Sequence, residues 1–174
     1  MEALNLEDNK LGDNITQNLF LALQNNISLK RLNLSKNFLS DKIADIIESF
    51  LKKNSYILEL YLHWNLFKTP GGIKIFKGIL ENESLMVLDF SWNSLGNGQT
   101  SVVPEILEVF KINEKILHLD LSNNNFTLDE SKKIAAGLND NHSIYGYYNL
   151  LKKQNHYIII NIEPILFVNN LVKI

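Results

Sequence analysis

The apolar positions of this chain follow neither a helical nor a strand period for long, yet they follow a rule. In Leu29-Lys30-Arg31-Leu32-Asn33-Leu34-Ser35-Lys36-Asn37-Phe38-Leu39, Leu holds the first, fourth, sixth and eleventh places and an Asn holds the ninth. Leu32 and Leu34 fit a short strand with one buried face, because side chains alternate across a strand. The later Asn is then free to turn the chain. The same form returns at Ile57-x-x-Leu60-x-Leu62-x-x-Asn65-x-Phe67, at Leu85-x-x-Leu88-x-Phe90-x-x-Asn93-x-Leu95 and at Ile116-x-x-Leu119-x-Leu121-x-x-Asn124-x-Phe126. A partial copy, Leu4-x-Leu6-x-x-Asn9-x-Leu11, opens the chain. Asn9, Asn37, Asn65 and Asn93 are spaced by 28 residues, and Asn124 follows after 31.

Helical periodicity fills the intervals. Asp13 or Asn14 is expected to cap a helix whose stripe is Ile15, Leu19, Ala22 and Leu23. Ser40 is the expected N-cap of the next, where Ile43, Ile46, Ile47, Phe50 and Leu51 make the cleanest amphipathic pattern of the chain. A third helix follows Thr69-Pro70 and should bury Ile73, Phe76, Ile79 and Leu80; Gly71, Gly72 and Gly78 make it the weakest by propensity. The fourth carries Val103, Ile106, Val109 and Phe110, after a turn-prone stretch at Leu95–Thr100 that absorbs the three extra residues of its interval. The fifth, about Leu128 to Asn139, should bury Ile134, Ala135 and Leu138, with Asp129 and Glu130 in its first turn.

Self-similarity at a fixed period of this size marks a solenoid. These residues resemble the leucine-rich repeat family, and the 28-residue period with one helix per repeat resembles its ribonuclease-inhibitor-like class. The resemblance runs from about Ala3 to Ile144. It implies an α/β fold: a right-handed leucine-rich-repeat solenoid, a horseshoe segment with a parallel β-sheet on the concave face and helices on the convex face. Residues 1–148 are then one leucine-rich-repeat domain of about five repeats plus a partial sixth, begun at Ser143–Tyr148. Residues 149–174 form a divergent C-terminal tail. Its β-prone run Tyr157–Ile162 could pair with the last strand, stay loose, or come from a faulty gene boundary. A solenoid needs polar caps, and nothing precedes Ala3–Leu6 to supply one. Another chain or a longer protein is the expected remedy.

Composition narrows the setting. A formal net charge of −2 argues against a generic nucleic-acid or membrane binder. With no cysteine there is neither a disulfide framework nor a thiolate metal site. The extracellular members that the resemblance brings in often carry cysteine-stapled caps, so a reducing, cytoplasmic setting is expected. Met1–Leu6 does not read as a signal peptide, and no stretch reaches the ~18 apolar residues of a membrane span. Arg31 is the only arginine among many lysines, and with abundant Asn and Ile this resembles AT-rich genomes such as some protists have.

Repeats bring equivalent places side by side, ~4.8 Å apart. The ninth-place Asn residues point inward and should satisfy backbone groups. The residues between the Leu places line the concave face. The third-place column is Arg31, Glu59, Val87 and His118, and the fifth is Asn33, Tyr61, Asp89 and Asp120. The seventh is Ser35, His63, Ser91 and Ser122, and the eighth is Lys36, Trp64, Trp92 and Asn123. Trp64 and Trp92 thus become neighbours beside Tyr61 and His63, and large exposed aromatics with polar tips are what interfaces use as anchors. In the bland alternative both rings fold over the sheet edge and shield the core.

Asp89 and Asp120 invite a carboxylate-pair reading, but Asp followed by Ser-x-Asn is common filler in this family, and no nucleophile accompanies them. The four His lack zinc-site spacing, and no phosphate-binding glycine loop is present.

The expected function is a non-catalytic protein–protein interaction or scaffold module. It would contact one or more proteins through Tyr61, His63, Trp64 and Trp92, with Asp89, Asp120, Glu59 and Arg31 setting charge complementarity. No cofactor, metal, nucleic acid, membrane or small-molecule substrate is expected. Small cysteine-free repeat proteins of this kind often belong to large assemblies, ciliary or cytoskeletal ones among them. The rivals are a GTPase-activating regulator resembling the nuclear-transport activator, for which Arg31 is the one arginine on offer, and a structural spacer that contacts neighbours through its open ends.

Overall fold

The computed structural model describes residues 1–96, 98–141, 143–144 and 158–159. Strands Ala3–Asn5 (β1), Arg31–Asn33 (β2), Glu59–Tyr61 (β3), Val87–Asp89 (β4), His118–Asp120 (β5) and Ile158–Ile159 (β6) form one parallel sheet in chain order. Helices Gly12–Leu23 (α1), Ala44–Lys53 (α2), Thr69–Leu80 (α3), Val103–Ile112 (α4) and Leu128–Gly137 (α5) carry the chain back between the first five strands and on from β5. Each crossover joins parallel neighbours, which dictates a right-handed solenoid with strands on one face and helices on the other.

The register is the one the repeat demands. Leu32, Leu60, Leu88 and Leu119 are successive Cα partners across β2 to β5. All four are at most 2% exposed, as are the sixth-place Leu34, Leu62, Phe90 and Leu121. Burying one such side chain contributes ~1.5–3 kcal/mol, and each does so only against its neighbours above and below. Phe67 and Phe76 close the centre around Phe90, with ring centroids 5.3 and 6.4 Å from it.

Two ladders of buried Asn hold the ends of these short strands. Asn65 accepts at Oδ1 from the N–H groups of Asn37 and Leu39, both at 3.0 Å, and donates from Nδ2 to the carbonyls of Leu34 and Leu62. Asn37, Asn93 and Asn124 do the same one repeat along. The second ladder lies before the strands, at Asn26, Asn54, Asn82, Asn113 and Asn141. Asn82 accepts from Ser84 and Leu85 N–H and donates to the carbonyls of Leu51 and Asn54. It was as visible in the sequence as the first, since its members recur with the same 28- and 31-residue steps.

The helices depart from the sequence reading in phase. α1 starts at Gly12 with φ +63° and has no side-chain cap. Asp13 instead turns to the next repeat, accepting from Ser40 N–H and Oγ–H at 2.8 and 2.6 Å. The buried stripe is Thr16, Phe20 and Leu23, with Leu19 half-buried, while Ile15 and Ala22 are exposed. Phe20 sets that phase by packing on Phe50, centroids 5.0 Å apart. In α5 Ser131 and Ile134 are buried, Leu138 is half-buried and Ala135 is exposed. Its first turn is fixed by a reciprocal box in which Thr127 and Glu130 cap each other's N–H. α2 keeps its expected stripe, opened by one 3-10 turn at Asp41–Ile43 that Ser40 caps. α4 buries all four expected residues. In α3 Ile75, Phe76 and Ile79 are buried, with Ile73 and Leu80 half-buried.

Of the expected sixth strand at Ser143–Tyr148, Ser143 and Ile144 are buried in a bend rather than a strand; its remainder, the division at residue 148, His142, His156 and most of the tail lie outside the described residues. Ile158 and Ile159 are described, and they pair in parallel with Leu119 and Asp120.

The glycines of α3 mark close approach. A Cβ on Gly78 would stand 3.0 Å from the Glu48 Cα and 3.1 Å from its carbonyl oxygen. Propensity alone favours Gly78→Ala by about 1 kcal/mol. Backbone contact should override it, so the variant is expected to lose ~1–3 kcal/mol by overpacking, read as a lower denaturant midpoint. A higher midpoint would mean that α2 and α3 part freely.

Candidate interaction surface on the strand face

The turn after each strand places its eighth residue in the left-handed region. Lys36, Trp64, Trp92 and Asn123 have φ of 56°, 53°, 52° and 55°. The Trp64 and Trp92 N–H groups still bond onward to the carbonyls of Ser91 and Ser122, so the backbone there is fixed by the ladder. Asn tolerates this region; a bulky residue in it costs ~1–2 kcal/mol. The two Trp therefore sit where the fold would prefer Asn. Their rings stack on each other, centroids 4.7 Å apart at 31°, and are 52% and 46% exposed. Beyond the buried Asn of the same turns, Phe38 and Leu66 at the tenth place are also more than half exposed. The sequence reading missed these two because it followed only the columns before the Asn.

Beside this rim, on the sheet itself, Glu59, Tyr61, Val87, Leu88, Asp89, His118, Leu119 and Asp120 line a shallow hollow of about 300 Å³. Tyr61, Asp89 and Asp120 are register partners across it. The Tyr61 hydroxyl donates to Glu59 at 2.9 Å. Burial, then the Glu59 carboxylate, pushes that phenol up to about 12. Burial raises Asp120 against the hydrogen bonds from Ser122, and the nearby Asp89 raises it further. Burial would raise Asp89 too, but hydrogen bonds from His63 and Ser91 outweigh it and hold the carboxyl below its ordinary value. His63 joins the hollow to the rim. Its Nδ1 lies 3.0 Å from Asp89 and 2.8 Å from Ser35 Oγ, and its Nε2 is 3.7 Å from Glu7. Glu7 also takes Lys36 at 2.7 Å and Asn33 at 3.2 Å. Arg31 is exposed on β2, register partner of Glu59 and outside the hollow.

A parallel sheet in chain order, stitched by Asn every repeat, coincides with the profile of the Leucine Rich Repeat family, which matches residues 28–50 and 115–135. The chain belongs to the leucine-rich repeat family. It is 30% identical over 148 residues to the "Protein phosphatase 1 regulatory subunit 37 homolog" of Caenorhabditis elegans, a match covering 81% of this chain and 15% of that protein. Among solved structures it resembles leiomodin-1 Actin-Binding Site 2, with TM-score 0.68, 24% identity and 80% of each chain covered. It also resembles the tropomodulin C-terminal domain of Caenorhabditis elegans, with TM-score 0.62, 14% identity, and 80% and 83% covered. At these identities the two structures speak for the fold.

Among the described residues of this leucine-rich repeat chain, no group of three His, Asp and Glu is placed to hold a metal, and no helix is long and apolar enough to cross a membrane. Ser35, His63 and Asp89 meet across three repeats, but both contacts fall on the same ring nitrogen and Ser35 is fully buried. A relay needs the two ring nitrogens in separate roles, so this is a clamp between repeats.

The clamp has a pH signature. The Asp89 hydrogen bond raises His63 against its burial. The stability that His63 adds is therefore full below its unfolded value of about 6.5 and is lost as pH rises through its folded value. Asp89 is lowered, so its share is present above its unfolded value and is lost as pH falls through the folded one. His63→Gln should depress the melting temperature more at about pH 5.5 than at about pH 8.5. Equal depression at both would mean that the ion pair does not form.

Proposed function

We propose that this leucine-rich repeat segment binds a protein partner without turnover, through the strand face and the rim beside it. Trp64, Trp92, Tyr61 and His63 are the anchors. Asp89, Asp120, Glu59 and Arg31 set charge complementarity. The observation that carries this reading is the Trp64–Trp92 stack. Two half-exposed indoles stand in a backbone conformation that disfavours them, where Asn123 shows what the turn accommodates easily. Strain of that kind clusters at ligand-binding positions, and paired aromatics are the usual hot spots of interfaces. The clamp geometry of Ser35, His63 and Asp89 supports a non-catalytic role.

The partner belongs to a larger assembly, cytoskeletal or ciliary. A second reading is favoured by the relative named as a phosphatase regulatory subunit homolog. In it, the same face serves a regulatory subunit of a phosphatase. Because the chain spans 15% of that relative's length, the larger protein's activity enters only as this proposal.

The test is affinity capture from the native source, identification of the partner by mass spectrometry, and titration calorimetry with variants. Trp64→Asn and Trp92→Asn are the informative changes, since Asn suits the left-handed turn. Each should weaken binding by ~2 kcal/mol or more, while the loss of stacking and the relief of strain leave stability within about 1 kcal/mol. Substituting Lys42 or Glu48 on the helical face should change binding little. The opposite pattern would move the interface to the helices.

A further inference from the structure

The strand face carries information about what it binds. Its hollow has Val87 and the main chain of the core residues Leu88 and Leu119 as its floor, an aromatic wall in Tyr61, and carboxylates of Glu59, Asp89 and Asp120 at its edge. Among the described residues, no Lys or Arg lies within ion-pair distance of those three carboxylates. Asp89 has His63, Glu59 accepts from the Tyr61 hydroxyl, and Asp120 accepts from the Ser122 N–H. His118 also lines the hollow and is itself engaged. The apolar surface of Val87 and Tyr61 and the acidic edge together fit a side chain with a long aliphatic stem and a cationic head. Arg fits better than Lys, because a planar guanidinium spans two carboxylates and stacks on an aromatic wall.

The neighbouring rim specifies what flanks that cation. His63 connects Asp89 to the turn of Trp64, so a segment whose basic side chain enters the hollow runs directly onto the stacked indoles. We infer that the partner of the strand face is an extended polypeptide segment that inserts a basic side chain, preferably Arg, between Tyr61, Asp89 and Asp120 and lays adjacent apolar residues on Trp64 and Trp92. The inference rests on the strand-face reading and deepens it. Burial, with a lesser push from Asp89, raises the Asp120 carboxyl above its ordinary value in the free protein, and an incoming cation would offset that effect.

The chain has two Trp, both in the rim, so intrinsic fluorescence reports on this surface alone. A random peptide library displayed on phage is panned against the whole chain, and enriched peptides are synthesised and titrated by Trp fluorescence. Enriched peptides should carry Arg or Lys beside apolar residues. Replacing the peptide Arg by citrulline, or Asp120→Asn in the protein, should each weaken binding about tenfold or more. Asp120→Asn should leave the melting temperature at neutral pH unchanged or slightly raised, which separates lost binding from lost folding. Peptides that shift Trp fluorescence but carry no basic residue, or tolerate citrulline, overturn this inference and leave the strand-face reading standing. Peptides that bind without a fluorescence change and ignore Trp64→Asn overturn both. A chain that sediments as a dimer dissociated by Trp92→Asn would assign the rim to a second copy and overturn the cation. Failure to enrich any peptide overturns it too.

Discussion

Everything in this fold depends on how three-residue strands keep their turns satisfied in the interior. A parallel sheet so short has more turn than ladder, and a buried main-chain group without a partner costs ~1–3 kcal/mol. The side-chain amide of Asn solves the problem because it carries an acceptor and two donors on a short stem. Asn65 alone engages five backbone groups from two repeats. The leucines supply the driving force. The amides decide where the chain can bend while staying dry.

The proposed interaction surface follows from that constraint. With the ninth place committed to the interior, the eighth is turned outward in a left-handed conformation, repeat after repeat. Whatever stands there is displayed. In the third and fourth repeats it is Trp, and the two rings meet only because the register stacks the repeats without slippage. The strain of Trp64 and Trp92 and the raised Asp120 carboxyl fall in the same region, so the local costs of the fold gather on the proposed surface.

The repeat, its register and the inward Asn were legible from residue spacing, since spacing is all they depend on. The strand columns gave Tyr61, Asp89 and Asp120 as neighbours for the same reason. Helix phase was legible where apolar residues formed one stripe, as in α2 and α4. It was misread where they covered more than one face, as with Ile15 against Phe20 in α1. Glu7, Phe38 and Leu66 escaped because their roles depend on side-chain reach and on how the chain leaves the turn. The hollow itself is a property of packing across three strands. The glycines of α3 read as weakness by propensity, whereas each allows close approach: Gly78 to α2, Gly71 to the 3-10 turn at Asp41, and Gly72 to Leu95 and Val102 before α4.

The Asn ladders also have a direction. Each amide reaches back to the repeat before it: Asn65 to Leu34 and Asn37, Asn93 to Leu62, Asn82 to Leu51, Asn113 to Ile79. The turn N–H groups of a repeat are thus completed by the Asn of its successor, while the N–H groups that open each strand and helix are served by its predecessor. During synthesis the amino-terminal turns emerge with open N–H groups and close only when the following Asn has left the ribosome. The two ends of the array are therefore unequal. Losing the leading repeat frees amide side chains that water can satisfy, and it also strips the Lys30, Arg31 and Ser40 N–H groups of their acceptors. Losing the trailing one orphans N–H groups inside the turn, which the next Asn had kept dry, so the two ends of such an array fail in different places.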